Sequence, residues 1–530
     1  MPDIIPMDMP ASYWRGKAQQ ARRGGRLREA ARLYIAALRK QDDNALRREL
    51  AEVYGEMRCL AASERLLTEN LARDASDTDS LYALARNCSL TGDENGMADL
   101  LDLYLRLSPC GEQADRARDI LWQMPREERT PARKNRAVAR FRQAADAQDE
   151  PARSLRRAKQ SWKRGKTAAT AKLLGQMYLR LNKKEKALRF ATAACDLDPK
   201  DIAARQLLAA ALMANGMSHA CRQALRQAAS MCDNLGQLPA FCACAASLEQ
   251  SDLAIELVEK RLARYPDSAD LMLLLASLLG RQPGQEQRAA ELVNQAKELD
   301  DDNPLTEVLE NMGSEEAEAQ TAWAARQLNR ISEAITAGPP EEMKERLHRE
   351  LVRVMRLPMP GMLETAVHLF MKNGDMLGLR MVMVENDLPP MLYGLILSYF
   401  QDQGEPLPCF ARVGGRLILL PQAPRPPYDP DLHELIRTLL RGLPDAVSLD
   451  MVVREVPRLW RQLPLSARRH CVQSRDRLWQ TAFTAYLLFS AGDEAAARKK
   501  LGDVKCPRRA ERAFMQLVRR SKKPHEVHRL

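Results

Sequence analysis

His470 and Cys471 are adjacent, and an imidazole beside a thiol is the start of acyl-transfer chemistry, with the thiolate as nucleophile. Neighbours on a helix point apart, because only positions three or four apart share a face. The two therefore read as unrelated helix positions. Cys242 and Cys244, with Cys232 and Cys221, are the residue type of a structural zinc site. Their spacing again sends Cys242 and Cys244 to different sides of a helix. Thiols that fill a helical core explain them better, since free cysteine behaves as a small hydrophobe. The remaining histidines, His219, His348, His368, His433, His525 and His528, are scattered. There is no G-x-x-x-x-G-K-[ST] loop, no G-x-S-x-G elbow, no H-E-x-x-H and no paired C-x-x-C. Gly414-Gly415 is too short to cradle a phosphate, and a hairpin turn accounts for it. The chain is expected to be non-enzymatic, with no cofactor and no metal.

The elements that would carry binding residues instead come from a 34-residue rhythm. Leu50-Ala51-x-x-Tyr54, Leu84-Ala85-x-x-Cys88, Leu174-Gly175-x-x-Tyr178 and Leu208-Ala209-x-x-Leu212 occupy the same place in successive copies. Pro109, Pro199 and Pro266 close their copies at one phase. A fixed period of this size means a helical hairpin stacked on itself. Such a stack offers a long binding surface and no built-in chemistry. Aromatics are 5% of the chain while Ala, Leu and Arg abound, a composition of helix formers. Small residues at Ala18 and Ala30 let the helices of the first hairpin approach, and Tyr34 fills the gap to the next. Turns are expected near Gly25, Gly92, Asn182 and Gly216.

The pattern resembles the tetratricopeptide repeat: large, small and aromatic in helix A, glycine at the turn, small and aromatic in helix B, proline at the close. The resemblance covers about residues 11–303. It implies an all-α fold, an α-solenoid of helix hairpins. Three repeats fall in 11–110 and four in 168–303, the last with one extra residue in its turn at Gly280 to Gly284. Residues 111–167 lose the phase and read as a basic helical connector. Residues 304–340 form an acidic linker and helix. Residues 341–530 read as a C-terminal helical region, with helices at Met343 to Met355, Leu363 to Met371, Leu377 to Glu385 and Met391 to Phe400. One small β-hairpin is expected near 410–420, where Gly414-Gly415 parts two apolar runs. Methionines from Met355 to Met391 are expected as core filling.

In the repeats this pattern resembles, ligands meet the helix-A face. The matching positions here are Arg15, Gln19, Arg22, Arg23, Arg48, Glu52, Glu56, Tyr82 and Arg86 in the first block, a mixed and mildly basic set, and Lys172, Gln176 and Arg180 in the second. The lysine and asparagine clamp that such repeats use for a chaperone's C-terminal carboxylate is not matched: Arg15 and Gln19 are followed by Glu49, and Lys172 and Gln176 by Leu207. The resemblance implies a repeat scaffold that takes a protein or peptide in a concave groove. The arginines point to a partner of acidic character.

Net charge is +11 and unevenly spread. Residues 126–166 hold fourteen Lys/Arg against five Asp/Glu, and 498–530 hold twelve against three. Residues 298–318 hold nine acidic groups and no basic ones. Nucleic acid is therefore the alternative partner, met by the two basic segments. Aromatics near the first of these (Trp122, Phe141, Trp162) are too sparse for a base-stacking platform. From Pro507 onward Ala510, Ala513, Phe514, Leu517 and Val518 form one stripe, expected to cap the array with its arginines in water. Eleven cysteines without framework spacing suggest a reducing compartment. No stretch is long enough to span a membrane, and the first ten residues lack a signal-peptide pattern. A cytoplasmic protein is the expectation.

Overall fold

The computed structural model describes residues 9–124 and 151–300, then most of 303–520 with gaps that include 310–316, 421–431 and 472–477. The chain divides into two compact units. Of the described residues, the first holds those up to Trp323 together with Gly415–Leu419, and the second holds those of Ala324–Gly414 and from Leu420 onward.

The fold is all-α. In the first unit three hairpins follow one another: α1 (Ala11–Arg23) with α2 (Leu27–Lys40), α3 (Asn44–Met57) with α4 (Leu60–Arg73), α5 (Thr78–Thr91) with α6 (Glu94–Leu107). Two helices, α7 (Ala114–Gln123) and α8 (Pro151–Arg164), lead to four more hairpins. These are α9 (Ala168–Arg180) with α10 (Lys184–Leu197), α11 (Ile202–Ala214) with α12 (Ser218–Met231), α13 (Leu238–Ser247) with α14 (Ser251–Arg264), and α15 (Ala269–Leu279) with α16 (Glu286–Leu299). Each is a tetratricopeptide-like pair, so this part is an α-solenoid.

Local chemistry sets the hairpin ends. Five first helices begin at a side chain that accepts from a backbone N–H two or three residues on: Asp43, Asp77, Thr167, Asp201 and Ser268. Each hairpin turns on a residue with left-handed backbone: Gly25, Arg58, Gly92, Asn182, Gly216, Glu249 and Gly284. The expected turns at Gly25, Gly92, Asn182 and Gly216 are all present. Within the blocks the step from Glu249 to Gly284 is the longest, at the expected extra turn residue. Inside each pair small residues meet. Ala18, Ala30, Ala187, Ala191 and Ala209 are fully buried. A Cβ on Gly175 would sit 2.8 Å from Leu207 Cδ2.

The sequence suggests a simple row of neighbours, and the first unit departs from that. One apolar core joins the first block (Ala18, Tyr34, Leu50, Tyr54, Cys59) to the end of the second (Leu271, Leu275, Val293, Leu299). Tyr54 Oη donates to the Leu299 carbonyl at 3.1 Å. Ser268 Oγ donates to the Arg58 carbonyl at 2.8 Å, and Ala61 N–H donates to Asp270 Oδ2 at 3.0 Å. Arg65 pairs with the buried Asp300 at 2.5 Å. Asp270 thus caps α4, whose own preceding residue, Cys59, supplies no side-chain cap.

In the second unit α18 (Glu341–Met355), α19 (Met362–Asn373) and α20 (Met376–Glu385) pack in succession. Helix α17 (Ala317–Thr336) precedes them in the chain and α21 (Pro390–Gln403) follows. After α21 the chain forms a local two-stranded hairpin, β1 (Phe410–Val413) and β2 (Arg416–Leu419, grouped with the first unit), turning at Gly415, whose φ is +74°. This is the expected hairpin. Helix α22 (Leu449–Gln462) lies against α19, and α23 (Leu478–Ser490), α24 (Glu494–Gly502) and α25 (Pro507–Arg520) close the described chain. Tyr393, Phe370, Phe400, Phe410, Phe483 and Trp460 are its fully buried aromatics. Met381 and Met383 are core filling, as expected.

Candidate functional site

Of the cysteines that suggested chemistry, Cys221, Cys232, Cys242 and Cys471 are buried and Cys244 is half-buried. Cys471 is buried, and burial pushes its thiol up to about 12; His470 lies outside the described residues. Burial likewise pushes the Cys242 thiol up to about 12 and those of Cys232 and Cys244 to about 11. The thiolate, not the thiol, is the nucleophile, so thiols held protonated are poor nucleophiles at neutral pH. Among the described residues no group of three or more His, Cys, Asp or Glu is placed to hold a metal ion.

The helix-A positions are more informative, because they are built by the repeat. Arg15 on α1 reaches Glu49 on α3 at 2.5 Å, and Gln19 donates to the same carboxylate at 3.5 Å. Arg22 grips Glu56 at 2.6 Å and Glu52 at 2.8 Å. Glu52 also faces Arg86 of α5 at 3.9 Å. Three of these rungs, Arg15–Glu49, Arg22–Glu56 and Glu52–Arg86, join equivalent places one 34-residue period apart. Basic positions on α1 and α5 therefore flank acidic positions on α3. Burial pushes the Glu49 carboxyl up, but the hydrogen bond and charge of Arg15 outweigh it and the net shift is down. Burial pulls the Arg22 guanidinium down, and Glu56 and Glu52 more than reverse this.

Arg48 does not join that ladder. It pairs with Asp77, the cap of α5, at 2.6 Å and approaches Asp79. It lines an open cavity of ≈ 310 Å³ with Asp43, Asn44, Asp74, Asp77 and Asp79. Tyr82 is half-buried, its ring 5.7 Å from that of Tyr104. Arg23 is exposed and makes no ion pair with a described residue. On α9, Lys172 pairs with Asp201, while Gln176 and Arg180 are exposed. The ladder brings Arg15, Gln19, Arg22 and Arg86 together through Glu49, Glu52 and Glu56. Glu52 and Glu56 are among the positions expected on this face; what the residues taken singly do not show is that all three glutamates pair with the arginines. The signal for this pairing is the 34-residue step itself.

Of the basic segments, 126–150 lie outside the described residues. At the other, the apolar stripe is covered within the second unit: Ala510, Ala513, Phe514, Leu517 and Val518 of α25 are buried, and Phe514 meets Phe489 of α23 edge-on at 6.0 Å. Among the described residues no helix is long and apolar enough to cross a membrane.

The architecture defines a class: a tetratricopeptide-like repeat protein with a helical C-terminal region. No family model and no curated protein matches the sequence. Solved structures similar to it include the TPR2AB domain of yeast Sti1 in complex with pHSP90, at 14% identity over 46% of this chain and 98% of that chain, TM-score 0.21. The P58(IPK) TPR domain is similar at 13% identity over 69% and 98%, TM-score 0.24. Yeast Tom70 is similar at 13% identity over 98% of each chain, TM-score 0.20. The hairpins themselves define the fold.

Proposed function

We propose that the chain is a non-enzymatic scaffold that holds a protein or peptide segment against the helix-A face of its first block. The observation that carries this is the ladder from Arg15 and Arg22 through Glu49, Glu52 and Glu56 to Arg86. Its side chains are 21–58% exposed, yet each is held by a neighbour one repeat away. Polar groups that are already ordered lose less entropy when a partner arrives. A face that alternates in sign selects a segment carrying both charges in register. This refines the acidic partner expected from the arginines alone: acidic groups fit Arg23 and Arg86, and basic groups fit Glu52 and Glu56. Exposed Gln176 and Arg180 offer a second contact on α9. Each exposed pair contributes about 0–1 kcal/mol, so the charges set register and encounter more than affinity.

The test uses a photo-crosslinking residue at Arg23, Arg86 or Gln176, with Arg39 on the exposed side of α2 as control. Adducts to a common partner at the first three positions and none at Arg39 are expected. Equal labelling at Arg39, or labelling there alone, moves the binding face to the second helices of the hairpins.

A further inference from the structure

In the first unit several arginines are neutralised at home: Arg15, Arg22, Arg28, Arg48 and Arg65 each hold a carboxylate. The terminal helices of the second unit differ. Arg508, Arg509 and Arg512 of α25 and Lys499 and Lys500 of α24 are all exposed. None of the five makes an ion pair with a described residue. Residues 494–512 hold seven basic groups against Glu494, Asp503 and Glu511. We infer that α24 and α25 present a docking surface for the phosphate backbone of a nucleic-acid duplex.

The geometry of α25 selects that partner. Its apolar stripe, centred on Ala510, Phe514 and Leu517, is already covered within the second unit, where Phe514 meets Phe489. A basic amphipathic helix binds a membrane by burying such a stripe in the interface, and here the stripe is not available. The arginines stand on the opposite side. Arg508 and Arg512 are four residues apart, about 6 Å along the helix axis, and Arg509 flanks them on the same side. A duplex presents strand charges at regular steps of roughly 3.4 Å along its axis, so an array of cations can each find one. Guanidinium groups favour this role because they grip phosphate oxygens two at a time. Residues 494–512 contain no Phe, Tyr or Trp, so the surface has nothing on which to stack an unpaired base. Contact is therefore with backbone, independent of sequence and strongly dependent on salt.

Fluorescence anisotropy of the full chain with a labelled random-sequence duplex, titrated over a salt series, tests this. DNA and RNA duplexes are separate arms. Binding at low salt that weakens log-linearly with salt is expected. The triple variant Arg508→Gln/Arg509→Gln/Arg512→Gln should lower the salt slope by roughly 2–3, at about 0.9 per phosphate contact. The matching Arg→Lys triple variant should keep most of the slope. Helix content by circular dichroism checks that the glutamine variant is folded. If it is not, Lys499→Gln/Lys500→Gln on α24 takes its place, with a slope loss of roughly 1–2. An unchanged slope in a folded variant overturns the assignment. So does absence of duplex binding at low salt, with or without binding to phosphatidylserine vesicles or to polyglutamate.

Discussion

Gly175 shows how tightly single positions are specified. It faces Leu207 across the gap between consecutive hairpins, with the backbone of Ala191 close behind. Gly175→Leu should overpack this contact and cost about 1–3 kcal/mol, read as a lower denaturant midpoint. An unchanged midpoint would mean that the two hairpins separate freely at this point. Glu249 is the opposite case. It holds a φ of +58° at the turn between α13 and α14, a region that penalises any side chain. Glu249→Gly should stabilise by about 0.5–1 kcal/mol after the entropic loss of glycine is counted. A fall in melting midpoint would show that the Glu249 side chain does more than tolerate its turn.

At the scale of elements, the ladder couples α1, α3 and α5. Because Arg22 already lies between Glu52 and Glu56, Arg22→Glu would bring three carboxylates together. The reversal should therefore destabilise more than Arg22→Gln, and Glu56→Arg added to it should recover part of the loss. A double-mutant cycle on melting midpoints measures this, and strict additivity would argue that the rungs are independent. The helices, their turns and the β-hairpin were legible because they leave local marks: a small residue at each close approach, a glycine or asparagine at a turn, Gly-Gly between apolar runs. Turns at Arg58 and Glu249 leave no such mark. Contacts such as Tyr54 with Leu299 were invisible for a different reason. Two residues so far apart in sequence share no period, and their meeting depends on how every intervening hairpin is tilted.

On the scale of the first unit, that meeting also sets a pH dependence. Asp270 caps α4 from a distant repeat. Burial pushes its carboxyl up to about 6, the Asp300 charge adds to this, and Ala61 N–H and Arg65 oppose it. A raised carboxyl favours the protonated folded form. Its stabilising effect is full at low pH and is lost as pH rises from about 4 through about 6. Asp270→Asn keeps an acceptor for Ala61 and should remove this fall in melting midpoint. Parallel wild-type and variant profiles would place the titration elsewhere.

The joining of Tyr54 and Cys59 to residues 267–299 has a further consequence during synthesis. The first block leaves the ribosome with these surfaces uncovered, and the chain that covers them is made 245 residues after Tyr54. At about 5–20 residues per second that delay is roughly 12–50 s. For that time the nascent hairpins expose part of what becomes their shared core, and the thiol of Cys59 is open to the surroundings. Ribosome-bound chains stopped before residue 267 should accordingly label at Cys59 with a thiol reagent, while chains extended past residue 300 should be protected.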